Sequence, residues 1–236
     1  MKISTMSAAL LSLLLIPSLS SAAMRELDLS KLKPDLSPFL GAGCVDNDQA
    51  RGFVCPPEVM RRFGCQDLKQ DDRVGGIDMP VALCTVGKGE ARKMAAKGVQ
   101  SVGERGCRVL IPFRYVVYTT KGFRVAKSAE EFTSLAAPFD RPEKAASLVM
   151  ALYPKVAAKL PELSEERVLK VRDREFRAAS FSEEGGSITV RLFERTICGC
   201  GTHPIFAVDY EVSPSGAIRE KGRRMVMDGK SEICVD

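Results

Sequence analysis

Arg195-Thr196-Ile197-Cys198-Gly199-Cys200-Gly201-Thr202-His203-Pro204 carries two of the eight cysteines and the single histidine of this chain, and it lies between two β-branched, apolar runs. Ser187 to Ile197 before it and Ile205 to Val212 after it read as strands, so this glycine-rich stretch is the bend that returns the chain. Outward from the bend, Glu183-Glu184-Gly185-Gly186 and Ser213-Pro214-Ser215-Gly216 are turn sequences. Val168 to Phe181 precedes the first turn and Ala217 to Val226 follows the second. The expectation is an antiparallel meander of about four strands over residues 168–226, one face of which must be covered.

The cover is predicted upstream. Ser128-Ala129-Glu130-Glu131 is a capping box, and Asp140-Arg141-Pro142-Glu143 starts a second helix with proline in its first turn. That helix places Ala145, Leu148, Val149 and Leu152 on one face, so within a helical region over about 129–153 the helix at 141–153 should be the one that covers the sheet. Val109 to Thr120, Lys121-Gly122 and Phe123-Arg124-Val125 read as a hairpin.

Before Cys107 the pattern is weaker. Met24 to Leu40, with Pro34 and Pro38, reads as an extended lead-in that contributes little. Pro56-Pro57 opens a short helix through Phe63 that Gly64 stops in the left-handed conformation. Gln70-Asp71-Asp72 and Gly75-Gly76 are read as loop punctuation, Met79 to Val86 as a short strand, and Gly89 to Lys97 as a helix stopped by Gly98. The predicted class is therefore α+β: a β-meander covered by a helix, with a disulfide-rich, loop-rich N-terminal half. The boundaries are a signal peptide over 1–23, a cysteine-rich region over 24–106 and an α+β domain over 107–236.

Lys2, the apolar run Ala8 to Ile16, Pro17 and the small residues Ser18 to Ala23 follow the order of a secretory signal peptide, with cleavage expected after Ala22 or Ala23. No later stretch is apolar enough to span a bilayer, so the chain is expected to be exported, whether to a periplasm, a cell surface or the medium, without a transmembrane segment. The net charge of +5 is spread among acids, which argues for a solvated surface and against nucleic acid.

All eight cysteines, Cys44, Cys55, Cys65, Cys84, Cys107, Cys198, Cys200 and Cys234, follow the signal peptide, and an oxidising compartment favours disulfides. Five lie between 44 and 107 and three between 198 and 234. With both counts odd, full pairing needs at least one bridge between the two segments. Cys234 is expected to pair with Cys198 or Cys200, leaving the other to reach the N-terminal half.

Cys198, Cys200 and His203 also form the best candidate for thiolate–histidine metal binding or a redox-active pair. Structural disulfides are the favoured reading, since a fourth zinc ligand is missing and exported thiols oxidise. Other chemistries fail on their motifs. No Gly-x-Ser-x-Gly elbow is present, and one histidine excludes the two-histidine zinc protease helix. Asp46-Asn47-Asp48 is followed by Arg51 and Pro57 where a calcium loop needs glycine and glutamate, and Gly87-Lys88-Gly89 breaks the phosphate-loop pattern. Arg219, Lys221 and Arg223 alternate as a basic stripe on a solvated edge strand. The predicted function is an exported, disulfide-stabilised, non-catalytic binding, envelope-associated or structural module without a cofactor, another protein being one class of partner. The alternative is a thiol-based redox or metal-binding protein centred on Cys198, Cys200 and His203.

Overall fold

A computed structural model describes residues 23–47, 52–96, 101–106, 110–160, 168–172, 178–195, 199 and 201–230. The signal-peptide reading over 1–22 and the cysteines Cys107, Cys198, Cys200 and Cys234 lie outside the described residues. The class is α+β, and it is built on two seven-stranded antiparallel sheets rather than on one four-stranded meander.

The C-terminal sheet contains the strands expected around the bend. β11 (Ser180–Glu184), β12 (Ser187–Arg195), β13 (Thr202–Val212) and β14 (Ile218–Lys230) run in sequence order. Gly185 and Gly186 both have positive φ, 58° and 79°, the geometry that a two-residue hairpin turn demands at both central positions. One expectation fails here. Val168 to Phe181 is not a single strand: β10 (Val168–Val171) pairs with β14 at one edge, while β11 pairs with β12 toward the other. Two further short strands, β1 (Arg25–Glu26) on β11 and β9 (Val156–Ala157) on β12, complete the sheet.

The loop-rich N-terminal half is corrected by the structure. β2 (Val45–Asn47), β3 (Gly52–Val54), β4 (Asp67–Lys69), β5 (Val81–Thr85), β6 (Gly103–Arg105), β7 (Ile111–Thr119) and β8 (Gly122–Ala126) form the second sheet, in the order β2-β3-β4-β5-β7 with β6 and β8 both on the far side of β7. Four of these strands have only three residues, too short for alternation to register against their loops. The predicted hairpin is β7–β8, and it belongs to this sheet through the pairing of β7 with β5.

β5 and β7 are buried on both faces. Val81, Leu83, Phe113, Tyr115 and Val117 face a core that also holds Ile188, Val190, Leu192, Val208 and Val212 of the C-terminal sheet. Both sheets therefore share one hydrophobic core. Ala82, Cys84 and Val116 face a second cluster under α1 (Ser37–Gly41) and α2 (Pro57–Phe63), where Phe39 stacks on Phe53 at 5.6 Å and Phe63 meets Phe123 at 5.2 Å. Pro57 and the left-handed Gly64 bound α2 as expected, and α3 (Lys88–Ala96) fits the helix predicted near 89–97.

α4 (Ala129–Ala136) is capped by Ser128, whose hydroxyl accepts from the amide of Glu131, and the Glu131 carboxylate in turn accepts from the amide of Lys127. α5 (Pro142–Leu152) was expected to cover one sheet with one face. It is buried from Lys144 through Ala151, with β12 on one side and the turn at 72–77 on the other. The N-terminal lead-in, expected to contribute little, bridges the molecule. The amide of Leu27 donates to Ala179 in the C-terminal sheet, and Phe39 is fully buried against the N-terminal one. Among the described residues no helix is long and apolar enough to cross a membrane.

At the start of α5, Asp78 pairs with Arg141 and, at 2.8 Å, with the buried Lys144. Partial burial works against ionised Asp78, but the hydrogen bond and charge of Lys144, joined by Arg141, outweigh it and hold the carboxyl below its ordinary value. A depressed carboxylate stabilises the fold above its unfolded pKa of about 3.9 and loses that contribution as pH falls through the folded value. Asp78→Asn should therefore cost about 1 kcal/mol at neutral pH, discounted because Asp78 is half exposed, and progressively less as pH falls through the folded value. Urea melts at neutral and acid pH check this; a difference that persists undiminished in acid would contradict it.

Candidate functional site

Two pairs of cysteines are bridged. Cys44–Cys55 closes the β2–β3 hairpin, one residue beyond the Val45–Val54 pair, and Cys65–Cys84 ties the end of α2 to β5. Their loops of 11 and 19 residues correspond to about 3 kcal/mol each in the chain-entropy model. Both bridges are local to the N-terminal sheet, so of the five cysteines in segment 44–107 only Cys107 is left to reach the other segment. Non-reducing peptide mapping should find Cys107 joined to Cys198, Cys200 or Cys234, with a total mass deficit of ~8 Da. A Cys107 that alkylates in the native protein would show that the clamp does not form.

His203 stands near the start of β13, half-buried, with Nε2 3.1 Å from the Gly199 carbonyl. A carbonyl only accepts, so Nε2 carries the proton in this contact. The two thiols that would complete the alternative site, Cys198 and Cys200, are outside the described residues, and among those described no group of three or more His, Cys, Asp or Glu is placed to hold a metal. The basic stripe is neutralised. Arg219 and Lys221 both reach Glu211, and Arg223 reaches Glu220 and Glu194. Among the described residues the far end of that strand is covered by β10.

The most developed polar feature is one that sequence inspection passed over as loop punctuation. Asp71 is 7% exposed and precedes a 3-10 turn over Asp72–Val74. Its carboxylate accepts five hydrogen bonds: from the amide of Arg73, from Nε and Nη2 of Arg73 at 2.9 Å each, from Nη2 of Arg105 at 2.7 Å and from the Tyr115 hydroxyl at 3.0 Å. Tyr115 is fully buried on β7, stacked on Phe132 at 4.4 Å with Phe113 edge-on at 5.7 Å. Burial first, and the Asp71 charge second, push its hydroxyl well above the ordinary value, so Tyr115 stays a neutral donor.

Arg105 extends from β6 with its guanidinium 4.5 Å over the Phe113 ring. β6 can lie this close because its first residue is Gly103: a Cβ there would sit 2.9 Å from the same ring. The Nε of Arg105 is buried and has no hydrogen-bond partner among the described residues. Two guanidiniums thus share one carboxylate, and a neutral phenol completes the set.

Arg73 and Arg105 form the floor of a cleft of about 490 Å³ at the seam of the two sheets. Glu104 and Leu110 line it from the N-terminal sheet, Glu194 from the C-terminal one, and Tyr153-Pro154-Lys155-Val156 from the segment after α5. Leu110 is 57% exposed and Tyr153 42%, large apolar surfaces left open at the mouth. Tyr153 is held by stacking on Tyr210 at 5.6 Å, and Glu194 is occupied by Arg223 at 2.9 Å and the Tyr210 hydroxyl at 3.4 Å. Volume and composition match a small-molecule site: mostly apolar walls, with a few convergent polar groups that orient a ligand.

Only the local part of this site was available from residue order, since Asp71 and Arg73 stand two apart as an aspartate-capped turn does. No known protein family, curated protein or solved structure matches the chain.

Proposed function

We propose that the protein is an exported, disulfide-stabilised binding module whose ligand occupies the cleft between its two sheets. The observation that carries this is the cleft itself, with two arginines ordered on a buried carboxylate beneath open apolar walls. Preordered cations beside unsatisfied apolar surface form a recognition site that needs no rearrangement to bind. The two local disulfides fit an oxidising environment and hold the sheet that supplies Arg105. The test is an amide-resolved NMR titration with phenol as a neutral probe of the cleft. Shifts should concentrate at Arg105, Gly106, Leu110 and Val156. Shifts scattered over the surface, or concentrated elsewhere, would overturn the assignment.

A further inference from the structure

The charge arrangement of the same cleft narrows the ligand's chemistry, an inference that rests on the binding reading above. We infer that the cleft takes a small monoanion with an apolar body, its carboxylate or equivalent acidic group on Arg73 and Arg105 and its hydrocarbon against Leu110, Tyr153 and Pro154.

Three observations support this. Asp71 is one negative charge set between two guanidiniums, so among the described residues the floor carries one positive charge in excess, next to a buried Arg105 Nε with no hydrogen-bond partner among them. An uncompensated cation removed from bulk water attracts an anion far more strongly than an exposed lysine does, and guanidinium groups suit planar carboxylates. Next, the two acids of the lining do not cancel that charge. Glu194 is engaged by Arg223, and Glu104 is exposed on β6, while the amine of Lys155 has no ion-pair partner among the described residues. Finally, the mouth is apolar on both sides, with Leu110 and Tyr153 largely exposed, so a bare inorganic ion would leave most of the cleft unfilled. A cationic or doubly charged ligand fits poorly, since the first meets the guanidiniums directly and the second exceeds the single uncompensated charge.

The probes are octanoate, octanol and octylammonium, titrated against the full mature chain with the cleft amides as readout. Octanoate should bind at least about tenfold tighter than either analogue. Its affinity should fall about tenfold in Arg105→Gln and weaken with added salt. Because Arg105→Gln disturbs the support of Asp71, a second variant at the exposed rim, Leu110→Glu, keeps the test usable: it should weaken octanoate by a similar factor with an unchanged melting temperature. If octanol or octylammonium binds the cleft as tightly as octanoate, the anion inference falls and the binding reading stands. If no probe moves the cleft amides, both fall.

Discussion

Asp71→Asn is expected to lower unfolding stability by about 3–5 kcal/mol, a large fraction of the 5–15 kcal/mol that a typical domain has. The carboxylate accepts five hydrogen bonds from three side chains and one amide while almost fully buried. An amide of the same shape keeps one acceptor oxygen and replaces the other with donors that face the donors of Arg73 or Arg105. It also removes the charge that holds those two cations together. The loss is the cost of leaving charges buried and unpaired, which is larger than the net worth of the intact cluster. Tyr115→Phe, which deletes one neutral donor from a fully buried ring, should cost only about 1–2 kcal/mol. Urea unfolding of both variants, with the slope compared to confirm a two-state transition, gives the two numbers. An Asp71→Asn loss no larger than that of Tyr115→Phe would show that Asp71 does not organise the cleft floor.

Gly76→Ala is expected to cost about 3 kcal/mol or more, at a position whose backbone is not left-handed and where propensity alone would favour alanine. A Cβ on Gly76 would stand 2.6 Å from the carbonyl carbon of Glu143 and 2.7 Å from the Ser147 hydroxyl, well inside contact distance. The obstacle is the backbone of α5 and not a side chain free to rotate. The Gly76 amide also donates to that hydroxyl at 2.9 Å, a buried bond that the displacement would break. Gly75 is as confined on its other side, 2.6 Å from the Leu32 carbonyl oxygen. Gly41→Ala is the control. It lies in α1 with nothing within 4 Å, and it should be neutral or stabilising by up to about 1 kcal/mol. A thermal melt of Gly76→Ala matching the parent would mean that α5 and the turn at 72–77 are not in contact in solution.

Residue order alone determined the features whose partners lie close by in the chain: the Gly185-Gly186 turn, the Pro57-to-Gly64 limits of α2, the Ser128–Glu131 cap and the β7–β8 hairpin. Each is fixed by turn or cap residues that lie within its own short stretch of chain. Only the tertiary structure decided that residues 168–171 and 180–184 occupy opposite sides of the C-terminal sheet, and that three-residue strands assemble the N-terminal one. It also decided that Gly75 and Gly76 mark a close approach of backbones rather than a simple loop, and that Asp71 meets Arg105 and Tyr115. These depend on which surfaces are buried together. A strand of three residues has no pattern of its own, and a charged side chain shows its burial only when the partners that make burial tolerable arrive from 34 and 44 residues away.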